Sequence, residues 1–134
     1  MRVDVFFYGL FMDIETLRSM GTKPGEPRVG RVMGFALRLG ERATLTPEPA
    51  SVVHGVVIDL SHEEIERLYS GPGLAAYRPE TVTVELRDGR HLSALCFVLP
   101  PATPPGPIND DYAQKLRELA RRVGLPPGYV ASIR

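Results

Sequence analysis

The sequence has no surplus of charge, no second cysteine and no long apolar run. Sixteen basic residues balance sixteen acidic ones, so the chain lacks the positive charge that favours binding to a nucleic-acid backbone or an anionic membrane. The single cysteine, Cys96, excludes a disulfide within the chain, and its apolar neighbours predict a thiol that packs like a small hydrophobe. No apolar segment approaches the length of a membrane span. We therefore expect no nucleic-acid partner and no membrane insertion.

The three histidines do not form a metal-binding motif. His54, His62 and His91 lie far apart, and none has a Cys or another His at a ligand-like spacing. The first residues include Asp4, where a secretory leader would need an uncharged stretch. We therefore expect a cytoplasmic protein without a bound metal, and the sequence leaves its oligomeric state open.

The chain is long enough for one hydrophobic core. Its 134 residues are 43% hydrophobic, which is enough apolar material for one compact domain and too little length for two. We expect residues 1–134 to form a single domain.

The opening segment is the most informative part of the chain. It predicts a buried strand to Tyr8, then a turn at Gly9, then a helix whose first turn is capped by Asp13. Glycine lets a backbone approach a ligand closely, and the amides at the start of a helix have no partners of their own. The segment Tyr8-Gly9-Leu10-Phe11 therefore predicts a cradle for a carboxylate.

Further along, hydrophobic periodicity predicts a sheet with helices beside it. The odd-numbered residues from Val29 to Leu39 are expected to share one strand face, which extends to place Glu41 on the apolar side. The alternation that buries Val82 similarly points Glu80 inward. Asp88-Gly89 is a hairpin signal. Strands are expected over 29–39, 43–46 (ending at Pro47-Glu48-Pro49), 52–60, 79–86 and 91–99. Helices are expected after the Ser61 capping box and from Asp110 or Asp111 to Val123. A proline-rich connector is expected over 100–107.

Three of these segments carry a resemblance to a known family. Tyr8-Gly9-Leu10-Phe11 is similar to a Tyr-Gly-Ser/Thr-x-Leu turn, the strand 55–60 with its following helix is similar to a central strand and helix, and 112–129 is similar to a carboxy-terminal helix that starts with Tyr and ends in Gly-Leu-Pro-x-x-Tyr. In this order they resemble the γ-glutamylcyclotransferase-like superfamily, which includes AIG2-like and ChaC-like proteins.

The resemblance implies an α+β fold, a mixed sheet curled into a small barrel with helices outside, and a cavity at the end of the first strand. In active members the turn amides hold the α-carboxylate of a γ-glutamyl group. A Glu takes a proton from the α-amine, which attacks the γ-carbonyl and releases 5-oxoproline and an amine, without a cofactor. The resemblance implies that Tyr8, Gly9, Leu10, Phe11 and Tyr112 contact the substrate, with the Tyr112 hydroxyl positioning it.

The sequence departs from this pattern at the catalytic position. Active members read Leu-Asp-x-x-Glu-Gly where this chain reads Leu68-Tyr69-Ser70-Gly71-Pro72-Gly73, so Pro72 stands in place of the base. Glu41 and Glu80 are the candidate substitutes, because buried acids are functional candidates; the alternative is that each pairs with an arginine at the barrel rim. Two functions remain open: cyclisation of a γ-glutamyl amine or peptide, or a non-catalytic carboxylate sensor or interaction module.

Overall fold

A computed structural model describes residues 1–100 and 107–133. Within these residues it contains five strands, four α-helices and one 3₁₀ turn. Most of the predicted proline-rich connector lies outside the described residues. The elements are β1 (Arg2–Phe7), the 3₁₀ turn (Leu10–Met12), α1 (Ile14–Ser19), β2 (Arg28–Leu39), β3 (Ala43–Ser61), α2 (His62–Leu68), β4 (Arg78–Leu86), β5 (His91–Val98), α3 (Asp110–Val123) and α4 (Pro127–Ser132).

The five strands form a mixed sheet that closes on itself. The strand order is β1-β3-β2-β4-β5, and neighbouring strands are antiparallel except for β1 and β5, which pair in parallel at Val5 and Leu95. This closure confirms the predicted α+β fold with a curled mixed sheet and helices beside it.

The closed sheet has two apolar faces because side chains alternate along each strand. Phe6 of β1 and Tyr8, which directly follows this strand, belong to a cluster whose other buried members are strand residues and which fills the inside of the sheet. Val5 and Phe7 belong to a second cluster, which includes Leu116 from α3 and covers the outside. The residues that follow β1 therefore emerge between the sheet and α3. Within the described residues, no helix is both long and apolar enough to span a membrane.

The predicted side-chain phase of β2 is wrong before Gly34. Val32 is buried in the inner cluster, whereas Met33 is 64% exposed. The register with β3 shifts between Met33 and Phe35, at Gly34, whose φ of 89° lies in the left-handed region that favours glycine. This β-bulge changes the face on which the following residues lie.

The predicted break at Pro47-Glu48-Pro49 is also wrong. β3 continues through both prolines and is 19 residues long. Pro47 lies opposite Phe35, directly beside the bulge in β2. Prolines are tolerated at bulges and strand edges, where a ladder hydrogen bond is not required from their nitrogen.

The predicted turns and caps are largely confirmed. Asp13 accepts a hydrogen bond from the Glu15 amide and begins α1, and Ser61 forms the predicted capping box at the start of α2. The hairpin turn at Gly89 joins β4 to β5. The predicted cap of α3, Asp110 or Asp111, is one or two residues too late, because Asn109 accepts from the Tyr112 amide at 3.1 Å and begins the helix.

Candidate functional site

A cavity of about 280 Å³ lies where β1 ends. Its walls come from β1 and the 3₁₀ turn, from α1, from the turn between β2 and β3, from the segment that follows α2, and from α3. Most of the lining side chains are apolar or aromatic, as in typical small-molecule sites. The lining residues are Phe6, Phe7, Tyr8, Gly9, Leu10, Phe11, Thr16, Met20, Arg42, Ala43, Tyr69, Leu74, Tyr77, Phe97 and Tyr112.

The predicted turn forms one wall of this cavity. Gly9 has extended backbone angles (φ −113°, ψ −151°) and precedes the 3₁₀ turn without a side chain to cap it. The Met12 amide donates to the Gly9 carbonyl at 3.0 Å, and Gly9 offers no side-chain cap to the first two amides of the turn, those of Leu10 and Phe11.

Tyr112 faces this turn from the first part of α3. A Cβ atom on Gly9 would lie 2.8 Å from the Tyr112 hydroxyl oxygen, so the absence of a side chain at position 9 is what admits the phenol. Burial raises the pKa of Tyr112, although the nearby backbone amides of Leu10 and Ala43 oppose that rise. The phenol is therefore neutral near pH 7 and keeps a proton to donate.

The ring of Tyr8 lines the cavity, but its hydroxyl forms a hydrogen bond within the protein. The hydroxyl donates to the Phe97 carbonyl at 2.7 Å, and Tyr8 is buried. The residue opposite Phe97 on β4 is Pro79, which has no N–H to offer. The Tyr8 hydroxyl thus donates a hydrogen bond to the Phe97 carbonyl, which Pro79 cannot do.

Aromatic side chains form an interacting group in the lining of the cavity. Tyr69 stacks on Phe97 with ring centroids 4.2 Å apart, and Phe11 meets Tyr69 edge to face at 5.7 Å. Tyr77 lies 5.9 Å from Tyr69 and donates its hydroxyl to the Ala43 carbonyl. Burial raises the pKa of Tyr77 to about 12, and it raises that of Tyr69 further. These phenols stay protonated at neutral pH and cannot act as bases.

The comparisons with known proteins place the chain in a family. A family model for gamma-glutamyl cyclotransferase, AIG2-like, matches residues 5–116. The chain belongs to this family. No curated protein matches the sequence.

Solved structures of AIG2-like and related proteins share this fold. A protein named gamma-glutamyl cyclotransferase is 19% identical, with a TM-score of 0.82 over 100% of this chain and 89% of the other. An uncharacterized protein from Homo sapiens is 20% identical, with a TM-score of 0.80 over 99% and 88%. YkqA from Bacillus subtilis is 22% identical, with a TM-score of 0.78 over 97% of this chain and 52% of YkqA. At these identities the likeness establishes the fold.

In this AIG2-like chain, Glu41 does not have the predicted buried position. Its side chain is exposed and lines a separate cleft with Asn109, Asp110 and Asp111. The prediction extended the alternation of β2 beyond Leu39, but the strand ends at that residue. The chain also turns directly afterwards, where the Gly40 amide donates to the Arg42 carbonyl at 3.1 Å.

Glu80 has the predicted phase without the predicted burial. It lies opposite Cys96, a residue of the inner face, but it is exposed near the beginning of β4. Burial, together with the Glu80 carboxylate, raises the pKa of Cys96 to about 12, so this thiol is not a nucleophile at neutral pH. Within the described residues neither Glu41 nor Glu80 forms an ion pair, and neither lines the cavity. A catalytic role for either carboxylate stays a prediction.

Arg42 is the one charged side chain among the described residues that line the cavity of this AIG2-like protein. Its Nη2 donates to the Pro72 carbonyl at 3.4 Å, so a guanidinium lies beside the position that the resemblance assigns to the catalytic Glu. Sequence reasoning missed Arg42 because it comes from the turn between β2 and β3, far along the chain from Pro72. The one sequence feature that could have pointed to Arg42 was its position directly after the predicted end of β2.

The described residues offer no site for a metal. Within residues 1–100 and 107–133, no three His, Cys, Asp or Glu side chains come together in an arrangement that could hold an ion. The lining residues carry phenols, a threonine hydroxyl, backbone amides and one guanidinium, and this set suits an organic anion.

Proposed function

We propose that this protein binds a small carboxylate-bearing molecule of the γ-glutamyl type in the cavity beside Gly9, and that it holds this ligand without the cyclisation typical of active family members. One observation carries the proposal: the predicted turn, whose first amides have no side-chain cap from Gly9, lines a cavity that the Tyr112 hydroxyl also reaches. Backbone amides at the start of a helical turn are good donors to a carboxylate.

The composition of the cavity supports binding over turnover. Cyclisation requires the ligand's α-amine to lose a proton before it attacks the γ-carbonyl, and α-amines are largely protonated at pH 7. A positioned general base typically contributes about 10²–10⁴-fold to such a step. None of the described lining residues is acidic, and Pro72 occupies the position where the resemblance expects the base.

A thermal-shift experiment tests ligand binding. A ligand that binds only the folded state stabilises it by about 2.7 kcal/mol at 100 times its Kd. We expect concentration-dependent stabilisation by members of a panel of γ-glutamyl compounds. The Gly9→Ala variant should lose this response, because the added Cβ would meet the Tyr112 hydroxyl.

Gly128→Ala is the matched control. It makes the same substitution in α4, where an added Cβ meets no atom of residues 1–100 and 107–133 within 4 Å. This variant should respond to the ligands as the wild type does. Absence of any response from the wild type to every member of the panel would overturn the proposed function.

Cyclisation is the second candidate, and membership of the family favours it. It is tested by following 5-oxoproline release from the same panel. Release by the wild type would overturn the non-catalytic part of the proposal. Loss of that release in Glu41→Gln or in Glu80→Gln would then identify the base.

A further inference from the structure

We propose that Arg42 determines the charge class of the ligand: the cavity prefers a carboxylate whose nitrogen is acylated or closed into a lactam over one that carries a free α-ammonium. This inference rests on the proposed function and adds a ligand class and a specificity residue to it.

The positive charge of Arg42 is not neutralised within the described residues. Arg42 forms no ion pair there, whereas Arg2, Arg28 and Arg31 each pair with a carboxylate. The protein contact of its guanidinium is a neutral one, the Pro72 carbonyl. A guanidinium has five N–H groups, so most of its donors remain for a ligand.

The loop after α2 holds the guanidinium at the edge of the cavity. Its Nε and Nη2 atoms lie 2.9 Å from the position that a Cβ on Gly73 would occupy. A side chain at position 73 would therefore displace Arg42. The Gly71-Pro72-Gly73 segment, which replaces the family's acidic position, thus provides both the space and a carbonyl partner for a cation.

The field of Arg42 extends to the hydroxyls inside the cavity. Burial raises the pKa values of Tyr77 and Tyr112, and the positive charge of Arg42 opposes both rises. The Tyr112 hydroxyl is the group that faces the turn at Gly9. Arg42 and the turn residues Leu10 and Phe11 line the same cavity, so the guanidinium and the turn amides can both attract a carboxylate bound there.

An ammonium group would not find a counterpart in this space. None of the described lining residues is acidic, and two carbonyls beside the cavity, those of Phe97 and Ala43, already accept hydrogen bonds from Tyr8 and Tyr77. Burying a cation without a partner is costly, and Arg42 adds repulsion. The aromatic wall offers less compensation because one face of Tyr69 is covered by Phe97. Acylation or lactam formation removes the ammonium and keeps the carboxylate.

Glutamine and N-acetylglutamine form a ligand pair for calorimetric titration, because they differ by one acetyl group, which removes the positive charge of the α-nitrogen and leaves the carboxylate and the side chain unchanged. With 5-oxoproline as a lactam probe, we expect the wild type to bind N-acetylglutamine and 5-oxoproline at least tenfold more tightly than glutamine. Arg42→Gln should weaken binding of both by roughly tenfold to a hundredfold, as expected for loss of a hydrogen bond to a charged group. It should also reduce the discrimination against glutamine.

Arg38→Gln is the matched control, since it removes the same charge from an exposed residue of the same hairpin that does not line the cavity. It should bind all three ligands as the wild type does, and unliganded melting curves verify that both variants fold. Equal wild-type affinities for glutamine and N-acetylglutamine, or an Arg42→Gln variant with wild-type affinity, would overturn this inference. Tighter binding of glutamine would also overturn it and leave the proposed function standing. If neither these ligands nor the γ-glutamyl panel bind the wild type, both proposals are wrong.

Discussion

Replacing Tyr8 with Phe removes one buried hydroxyl and leaves the Phe97 carbonyl without its donor. The hydrogen bond between them is 2.7 Å long and buried, and Pro79, opposite Phe97, cannot replace it. Leaving a buried acceptor unpaired costs about 1–3 kcal/mol. With an unfolding entropy of roughly 2.1 cal/mol/K per residue, 134 residues give about 0.28 kcal/mol/K. The expected fall in Tm is therefore roughly 4 to 11 °C.

Differential scanning calorimetry measures this fall in Tm. A ligand titration at a temperature well below Tm measures the effect on ligand affinity separately from the effect on stability. Since the Tyr8 hydroxyl is already bonded to the protein, Tyr8→Phe should retain ligand affinity within a factor of about three, which corresponds to less than 1 kcal/mol. Tyr112→Phe should show the opposite pattern, with a small change in Tm and weaker ligand binding. An unchanged Tm in Tyr8→Phe combined with lost binding would refute the structural role of the Tyr8 hydroxyl and would show that it contacts the ligand.

Three further predictions concern stability and reactivity. Burial opposes the ionisation of Glu64, but hydrogen bonds from the Ser61 and Lys23 amides lower its pKa. The ionised carboxylate therefore contributes fully to the free energy of unfolding above the pKa that Glu64 has in the unfolded chain. This contribution is lost as the pH falls through the pKa in the folded protein. The free energy of unfolding in urea should therefore fall on acidification below about pH 4.5, and Glu64→Gln should weaken that dependence. Gly34→Val should cost roughly 1 kcal/mol or more, measured as a lower urea midpoint, because its φ is 89°. Cys96 is fully buried, so a thiol reagent should label it only in denaturant, and rapid labelling of the native protein would contradict the described core.

Local chemistry explains which parts of the fold were predictable. The capping box at Ser61, the cap at Asp13 and the hairpin at Gly89 depend on a few neighbouring residues, and the sequence displays those residues directly. The phase of β2 was not predictable in this way, because the bulge at Gly34 depends on pairing with a distant part of β3. The same pairing explains why Pro47 does not end that strand.

The candidate site, like the fold, was predictable only where its residues are neighbours in the sequence. The turn at Gly9 was predictable because the strand, the glycine and the following helix are consecutive. Arg42 and Tyr77 were not, since they join the cavity from segments that only the closed sheet brings together. Alternation alone also gave the wrong burial for Glu41 and Glu80, because it carries no information on where a strand leaves the core.

The measurement that tests the central claim most directly is an amide chemical-shift titration of the ¹⁵N-labelled protein with the γ-glutamyl compound that gives the largest thermal shift. Binding of a carboxylate at the turn predicts saturable shifts of the Leu10 and Phe11 amides, and their loss in Gly9→Ala but not in Gly128→Ala. Saturable shifts elsewhere in the protein, with the Leu10 and Phe11 amides unchanged, would contradict the account.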